Sequence, residues 1–150
     1  MSRQAFCDSY YRTGDLGALA QGAMYITGPQ KNMIIVDGNN FYAHDLQATA
    51  NQAVGIKAVR YVAFGIPNAL TGSEGVCIVA ESELAQDSHT ELVRSIKETV
   101  QSHTGLVIAK TAIAPLKWLV KTTSGKIFCA ENRDKFLVFQ RAATKEMRTL

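Results

Sequence analysis

The pentapeptide Val76-Cys77-Ile78-Val79-Ala80 is apolar at every position, and it constrains the fold more than any other stretch. It is long enough for a strand and too short for a core helix, so it reads as a buried strand. Val59 to Ile66 reads as a second strand, and Pro67-Asn68 starts a loop that runs to Gly75. Downstream, Ser88-His89-Thr90-Glu91 has the form of a capping box, in which the serine hydroxyl takes a helix-end N–H and Glu91 reaches back. Leu92, Val93, Ile96 and Val100 then recur at helical spacing, and Gly105 supplies a stop.

The flanking segments extend this pattern. Met24 to Thr27 and Met33 to Val36 read as short strands, separated by Gly28-Pro29-Gln30-Lys31-Asn32. Proline cannot donate to a sheet, so Pro29 suits a joint between two rigid pieces. Asp37-Gly38-Asn39-Asn40 reads as a turn. Asp45 opens a helix-like stretch that places Leu46, Ala50 and Ala53-Val54 on one face and ends near Gly55. Leu106 to Ala112 reads as a strand broken by Pro115, and Ile127 to Phe139 as a last helix with poorly spaced apolar residues. Strands and helices mix without βαβ alternation. The expected class is α+β: a small two-layer domain with a mixed or antiparallel sheet, about three helices over one face, and a β-hairpin in front.

Composition narrows the function classes. The 150 residues suffice for one domain with its own core. The net charge of +3 is scattered rather than gathered into a stripe, which gives no footprint for nucleic acid. No apolar run approaches the roughly 18 residues that cross a bilayer. The segment after Met1 lacks the apolar core of a secretory signal. Cys7, Cys77 and Cys129 share no disulfide-like spacing, so a reducing cytoplasm is the simplest setting. His44, His89 and His103 are not spaced like metal ligands, and no metal site is expected.

Two turns carry residues suited to chemistry. In Lys121-Thr122-Thr123-Ser124-Gly125-Lys126-Ile127, small residues let the backbone approach a partner while Lys126 projects on a flexible stem. A fixed ammonium there can offset the repulsion between two anionic reactants. The run is not a Walker A loop: Val120 stands where that motif needs glycine, and Ile127 where it needs serine or threonine. Over a hundred positions upstream, Thr13, Gly14 and Gly17 surround Asp15, whose carboxylate accepts hydrogen bonds only and so suits the two hydroxyls of a ribose. Taken singly, each turn reads as ordinary solvated surface.

Together they resemble the closing part of adenylate-forming (AMP-binding) acyl ligases. Tyr11-Arg12-Thr13-Gly14-Asp15-Leu16-Gly17 is similar to the family's Y-R-T-G-D-x-G motif, whose aspartate binds the ribose of ATP. Tyr25-Ile26-Thr27-Gly28, with Lys31 and Ile34-Ile35, resembles its hinge motif G-R-x-K-D-x-I. Asp37 to Gln47 resembles G-R-N-H-Y-P-Q-D-I-E of fatty-acyl-AMP ligases, mostly through Asn40, Tyr42 and Asp45-Leu46. Lys121 to Ile127 looks like P-K-T-T-S-G-K-I, whose final lysine is the adenylation lysine.

The resemblance implies a division at the hinge. Residues 1–30 would end a large N-terminal adenylation domain, and 31–150 would form a C-terminal lid subdomain. Lys126 would be catalytic, Asp15 would bind the nucleotide, and Lys31 would sit at the pivot. It also implies ATP and Mg2+ as cofactors, both held mainly by the N-terminal domain, a fatty or other carboxylic acid as substrate, and an acyl carrier protein or CoA as acceptor. Nothing in this chain resembles that domain's phosphate loop or acyl tunnel, so the segment alone is expected to be inactive. Pro29 replaces the family's hinge arginine, Asn32 an acid, Asn39 an arginine, Gln47 a glutamate and Val120 a proline. A fatty-acyl-CoA synthetase, a peptide-synthetase adenylation domain and a non-catalytic docking module are the competing readings.

Overall fold

A computed structural model describes residues 6–7, 10–53, 58–68 and 72–147. Its strands are β1 (Phe6–Cys7), β2 (Tyr10–Tyr11), β3 (Asp15–Ala20), β4 (Ala23–Pro29), β5 (Met33–Val36), β6 (Asn39–Tyr42), β7 (Ala58–Pro67), β8 (Glu74–Ser82) and β9 (Lys110–Ala114). Its helices are α1 (Ala43–Ala50), α2 (His89–Thr104) and α3 (Cys129–Met147). The first six strands pair as three successive antiparallel ribbons. The main sheet has the order β7-β8-β9, with β8 antiparallel to β7 and parallel to β9. The class is α+β with a mixed sheet, as the sequence suggested.

The all-apolar run is the central strand, and both of its faces are covered. Val76, Ile78 and Ala80 face a core built with Tyr61 and Ala63 of β7, Leu46 of α1, and Leu92, Ile96 and Val100 of α2. Cys77 and Val79 face a second core with Val62, Phe64, Ala114, Leu119 and Phe136. Each fully buried Val, Leu or Ile side chain here contributes about 1.5–3 kcal/mol. α1 and α2 cover one face, as expected. α3 instead packs over the opposite face through Phe136, while Val138 and Phe139 lie exposed. That explains the poor apolar spacing of α3, because the inward position one turn before Phe136 is the polar Asn132.

Several local expectations change. Ser88 forms no capping box: it ends a 3-10 turn (Gln86–Ser88), its backbone is already helical, and its hydroxyl makes no cap bond. A capping residue needs an extended backbone, which the preceding turn denies it. The Leu106–Ala112 strand begins later and ends later, at Lys110 and Ala114. Leu106 and Ile108 do alternate into the core, but no ladder pairs them. Only Asp37-Gly38 turns, with φ of 49° and 80°, while Asn39-Asn40 belong to β6 as the far side of a two-residue hairpin. α1 starts at Ala43, two residues before Asp45, and ends at Ala50; the expected end near Gly55 lies outside the described residues.

The leading hairpin β3–β4 is joined to the rest through a few polar contacts. Thr27 Oγ1 donates to the Leu16 carbonyl at 3.1 Å and lies 2.9 Å from the Tyr42 hydroxyl on β6. The Gln30 N–H, just past Pro29, donates to the Gly14 carbonyl at 2.9 Å.

Candidate functional site

Asp15 opens β3 and is exposed. Gly14 precedes it with φ of 80°, a left-handed turn that a side chain would strain. The Asp15 N–H donates to Thr13 Oγ1 at 3.1 Å, which folds the turn back on itself. In the ladder Asp15 stands opposite Pro29, the last residue of β4. Thr13, Gly14, Asp15, Pro29, Gln30 and Lys31 line an open cleft of about 420 Å³. The structure therefore brings two of the three candidate residues, Asp15 and Lys31, to one cleft.

Lys31 sits in a single 3-10 turn (Gln30–Asn32) and has a second neighbour. Its Nζ lies 5.8 Å from the centre of the Phe128 ring, within cation–π range. Phe128 closes the loop that carries Lys126. Lys31 is thus in contact with the base of the lysine loop, although Lys126 itself does not line the Asp15 cleft.

Lys126 lies in a tight reversal between Val120 and Phe128. Lys121 and Ile127 form an antiparallel bridge, and the Thr122 N–H donates to the Lys126 carbonyl at 2.8 Å. Inside the turn, the Gly125 N–H donates to the Thr122 carbonyl at 2.8 Å, and the Lys126 N–H to Thr122 Oγ1 at 3.1 Å. Thr122 Oγ1 also meets Ser124 Oγ at 2.9 Å, which gives the Thr-Thr-Ser-Gly residues a role in shaping the turn. Gly125 has φ of 80°. The Lys126 side chain is exposed and has no salt-bridge partner among the described residues.

The base of this loop is held by groups that sequence reasoning missed. Glu81, at the end of β8, is completely buried; one of its oxygens lies 3.1 Å from Arg60 Nη1 and the other accepts the Leu119 N–H at 2.7 Å. Asn132 of α3 is also completely buried and binds backbone groups of Val120 and Phe128. Lys135 donates to the Trp118 carbonyl, and its Nζ lies 4.4 Å from the Trp118 ring centre. Trp118 packs against the second core, the anchoring role its place before the loop suggests. An acid closing an apolar run and an asparagine early in a helix were the available signals, and neither says what it binds.

The remaining candidates stay ordinary. Burial pushes the Cys77 thiol up to about 12, with Lys110 partly opposing the shift, so it is packing and not a nucleophile. His44 is exposed near the start of α1, 3.3 Å from Asp45 Oδ1 and tilted against Tyr42. Among the described residues no three His, Cys, Asp or Glu side chains gather as metal ligands, and no helix is long and apolar enough to cross a membrane.

With this geometry in hand, comparison with known proteins is informative. The chain is 32% identical over 148 residues to a 4-hydroxyphenylalkanoate adenylyltransferase of Mycobacterium marinum, covering 89% of this chain and 23% of that protein. This chain is a C-terminal piece of an AMP-binding ligase. A medium-chain-fatty-acid–acyl-carrier-protein ligase, JamA of Moorena producens, is 31% identical over 132 residues, covering 85% of this chain and 22% of that ligase. Among solved structures, an adenylation–carrier-protein pair of McyG complexed with phenylalanyl-adenylate superposes with a TM-score of 0.80 at 27% identity, over 98% of this chain and 27% of that one. No family model matches the chain. It spans about a quarter of the length of these AMP-binding relatives.

Proposed function

We propose that this chain is the closing part of an enzyme that activates a carboxylic acid, most simply a fatty acid, with ATP to give acyl-AMP and pyrophosphate. In that reaction the carboxylate oxygen bonds to the α-phosphorus as the bond to pyrophosphate breaks. Both reactants are anions, and charge grows on the phosphoryl oxygens as they meet. Lys126 supplies the ammonium that offsets this charge. The carrying observation is its setting: an exposed lysine without a salt bridge among the described residues, beside the tip of a turn whose base is fixed by buried polar groups.

Asp15 accepts the two ribose hydroxyls of ATP, a pairing its two-oxygen, acceptor-only chemistry fits. Lys31 serves as the pivot between residues 1–30, which belong with the large nucleotide-binding domain, and the lid formed by 31–150. Mg2+ bound with the ATP would offset phosphate charge, and that domain rather than this chain would supply the residues that hold it. The product passes to an acyl carrier protein, a reading supported by the relative that is a carrier-protein ligase. The likeness to a phenylalanyl-adenylate complex favours one alternative, an amino- or aryl-acid adenylating domain.

ATP–pyrophosphate exchange by the full-length gene product separates these. Exchange that depends on medium- or long-chain fatty acids is expected. Exchange driven only by amino or aromatic acids would move the substrate assignment to the alternative. No exchange with any carboxylate would overturn the activity altogether.

A further inference from the structure

Asn132 is the fourth residue of α3, and its side chain spans the neck of the Lys126 turn. Oδ1 accepts the Val120 N–H at 2.8 Å, while Nδ2 donates to the Val120 carbonyl at 2.9 Å and to the Phe128 carbonyl at 2.8 Å. A primary amide has donors at one end and an acceptor at the other, and this position uses both. A carboxylate would face two carbonyl oxygens, and an aliphatic side chain would leave the Val120 N–H without its acceptor and take one donor from each of the two carbonyls. At the neck itself, the bond from the Phe128 N–H to the Val120 carbonyl is longer at 3.2 Å, against 2.8 Å for the Thr122–Lys126 bond nearer the tip. Toward the tip, the hydrogen bonds of Thr122, Ser124, Gly125 and Lys126 stay within the turn. The loop is therefore joined to the fold at its neck, and Asn132 sits there.

We propose that Asn132 is a positioning residue for Lys126. By fixing the separation of the two arms, it fixes the point to which the ammonium is delivered. This rests on the adenylation role of Lys126. The side chain touches no reactant and acts only through the loop. Displacing a reacting group by about 1 Å can cost roughly 100-fold in rate, and that is the size of effect expected when the neck is loosened.

The test is a double-mutant cycle on the full-length gene product, reading the single-turnover rate constant of acyl-adenylate formation from ATP and a fatty acid. That constant does not depend on how much of the sample is folded. Asn132→Asp keeps the volume and reverses the donor end, and it is expected to slow the step by about 100-fold. In a Lys126→Ala background the same change is expected to add no further loss, because residues acting through one group are not additive. Losses that multiply, or an Asn132→Asp enzyme as fast as the parent, would overturn the positioning role while leaving Lys126 in place. A Lys126→Ala enzyme at parental speed would instead overturn the adenylation role and the positioning role with it. Should Asn132→Asp fail to fold, amide exchange in the unmodified protein decides. A Val120 N–H as slow as the α2 core supports the proposal, and one as fast as exposed Ser124 overturns it.

Discussion

Asp15 and Lys126 are both exposed, and each follows or adjoins a glycine at φ of 80°. Such residues contribute little to stability, so their substitution reports on function. Asp15→Ala is expected to leave folding unchanged and to weaken ATP binding roughly 10–100-fold, the loss of hydrogen bonds to a charged group. Calorimetric titration of ATP checks this, and an unchanged dissociation constant would remove the ribose role. Cys77 makes the opposite case. Its thiol keeps its proton in the fold up to about 12 instead of 9.0, so the folded state binds more protons than the unfolded one across that window. Stability is then full below pH 9 and falls as pH rises toward 12. Cys77→Ala is expected to flatten that alkaline decline in melting temperature. A residue of the decline would remain, because burial also raises the Tyr61 phenol.

At the scale of elements, the lysine loop is held by residues 38 and 12 positions away in sequence that meet it in space. Glu81 comes from β8 and Asn132 from α3, and both end on the backbone that flanks Lys126. Glu81→Leu would leave the buried Leu119 N–H without its acceptor. A cost of about 1–3 kcal/mol is expected, visible as Leu119 amide exchange roughly 10–100-fold faster. An unchanged exchange rate would show that Glu81 does not hold the loop.

The strands β7 and β8 and the helix α2 were legible in the sequence because apolar runs, apolar period and glycine stops report burial directly, whereas β6 was read as part of a turn and β9 was placed too early. Family motifs made the two exposed turns legible. Glu81 and Asn132 were not, because a polar residue is buried by the partner it finds, and that partner lies 38 residues from Glu81 and 12 from Asn132. The capping box at Ser88 failed for a related reason: its spacing is right, but a 3-10 turn just before it fixes the wrong backbone. Lys31 shows the same limit. The hinge motif marks the position, and only the fold places it over Phe128.

Across the whole molecule, the separation of Asp15 and Lys126 is the meaningful feature. Asp15 lines a cleft with Pro29, Gln30 and Lys31, Lys126 stands on another loop, and Lys31 contacts the base of that loop through Phe128. A change at residues 29–31 therefore bears on both. Such an arrangement suits a part that closes on a site built largely elsewhere, and the chain spans about a quarter of the length of the relatives it matches. The decisive measurement is pyrophosphate exchange by the full-length gene product carrying Lys126→Ala, with ATP affinity measured in parallel. The account predicts a fall of about 100- to 1,000-fold in exchange, the usual effect of removing one preorganised charge-stabilising group, with ATP affinity within about twofold of the parent. Exchange at the parental rate would contradict it.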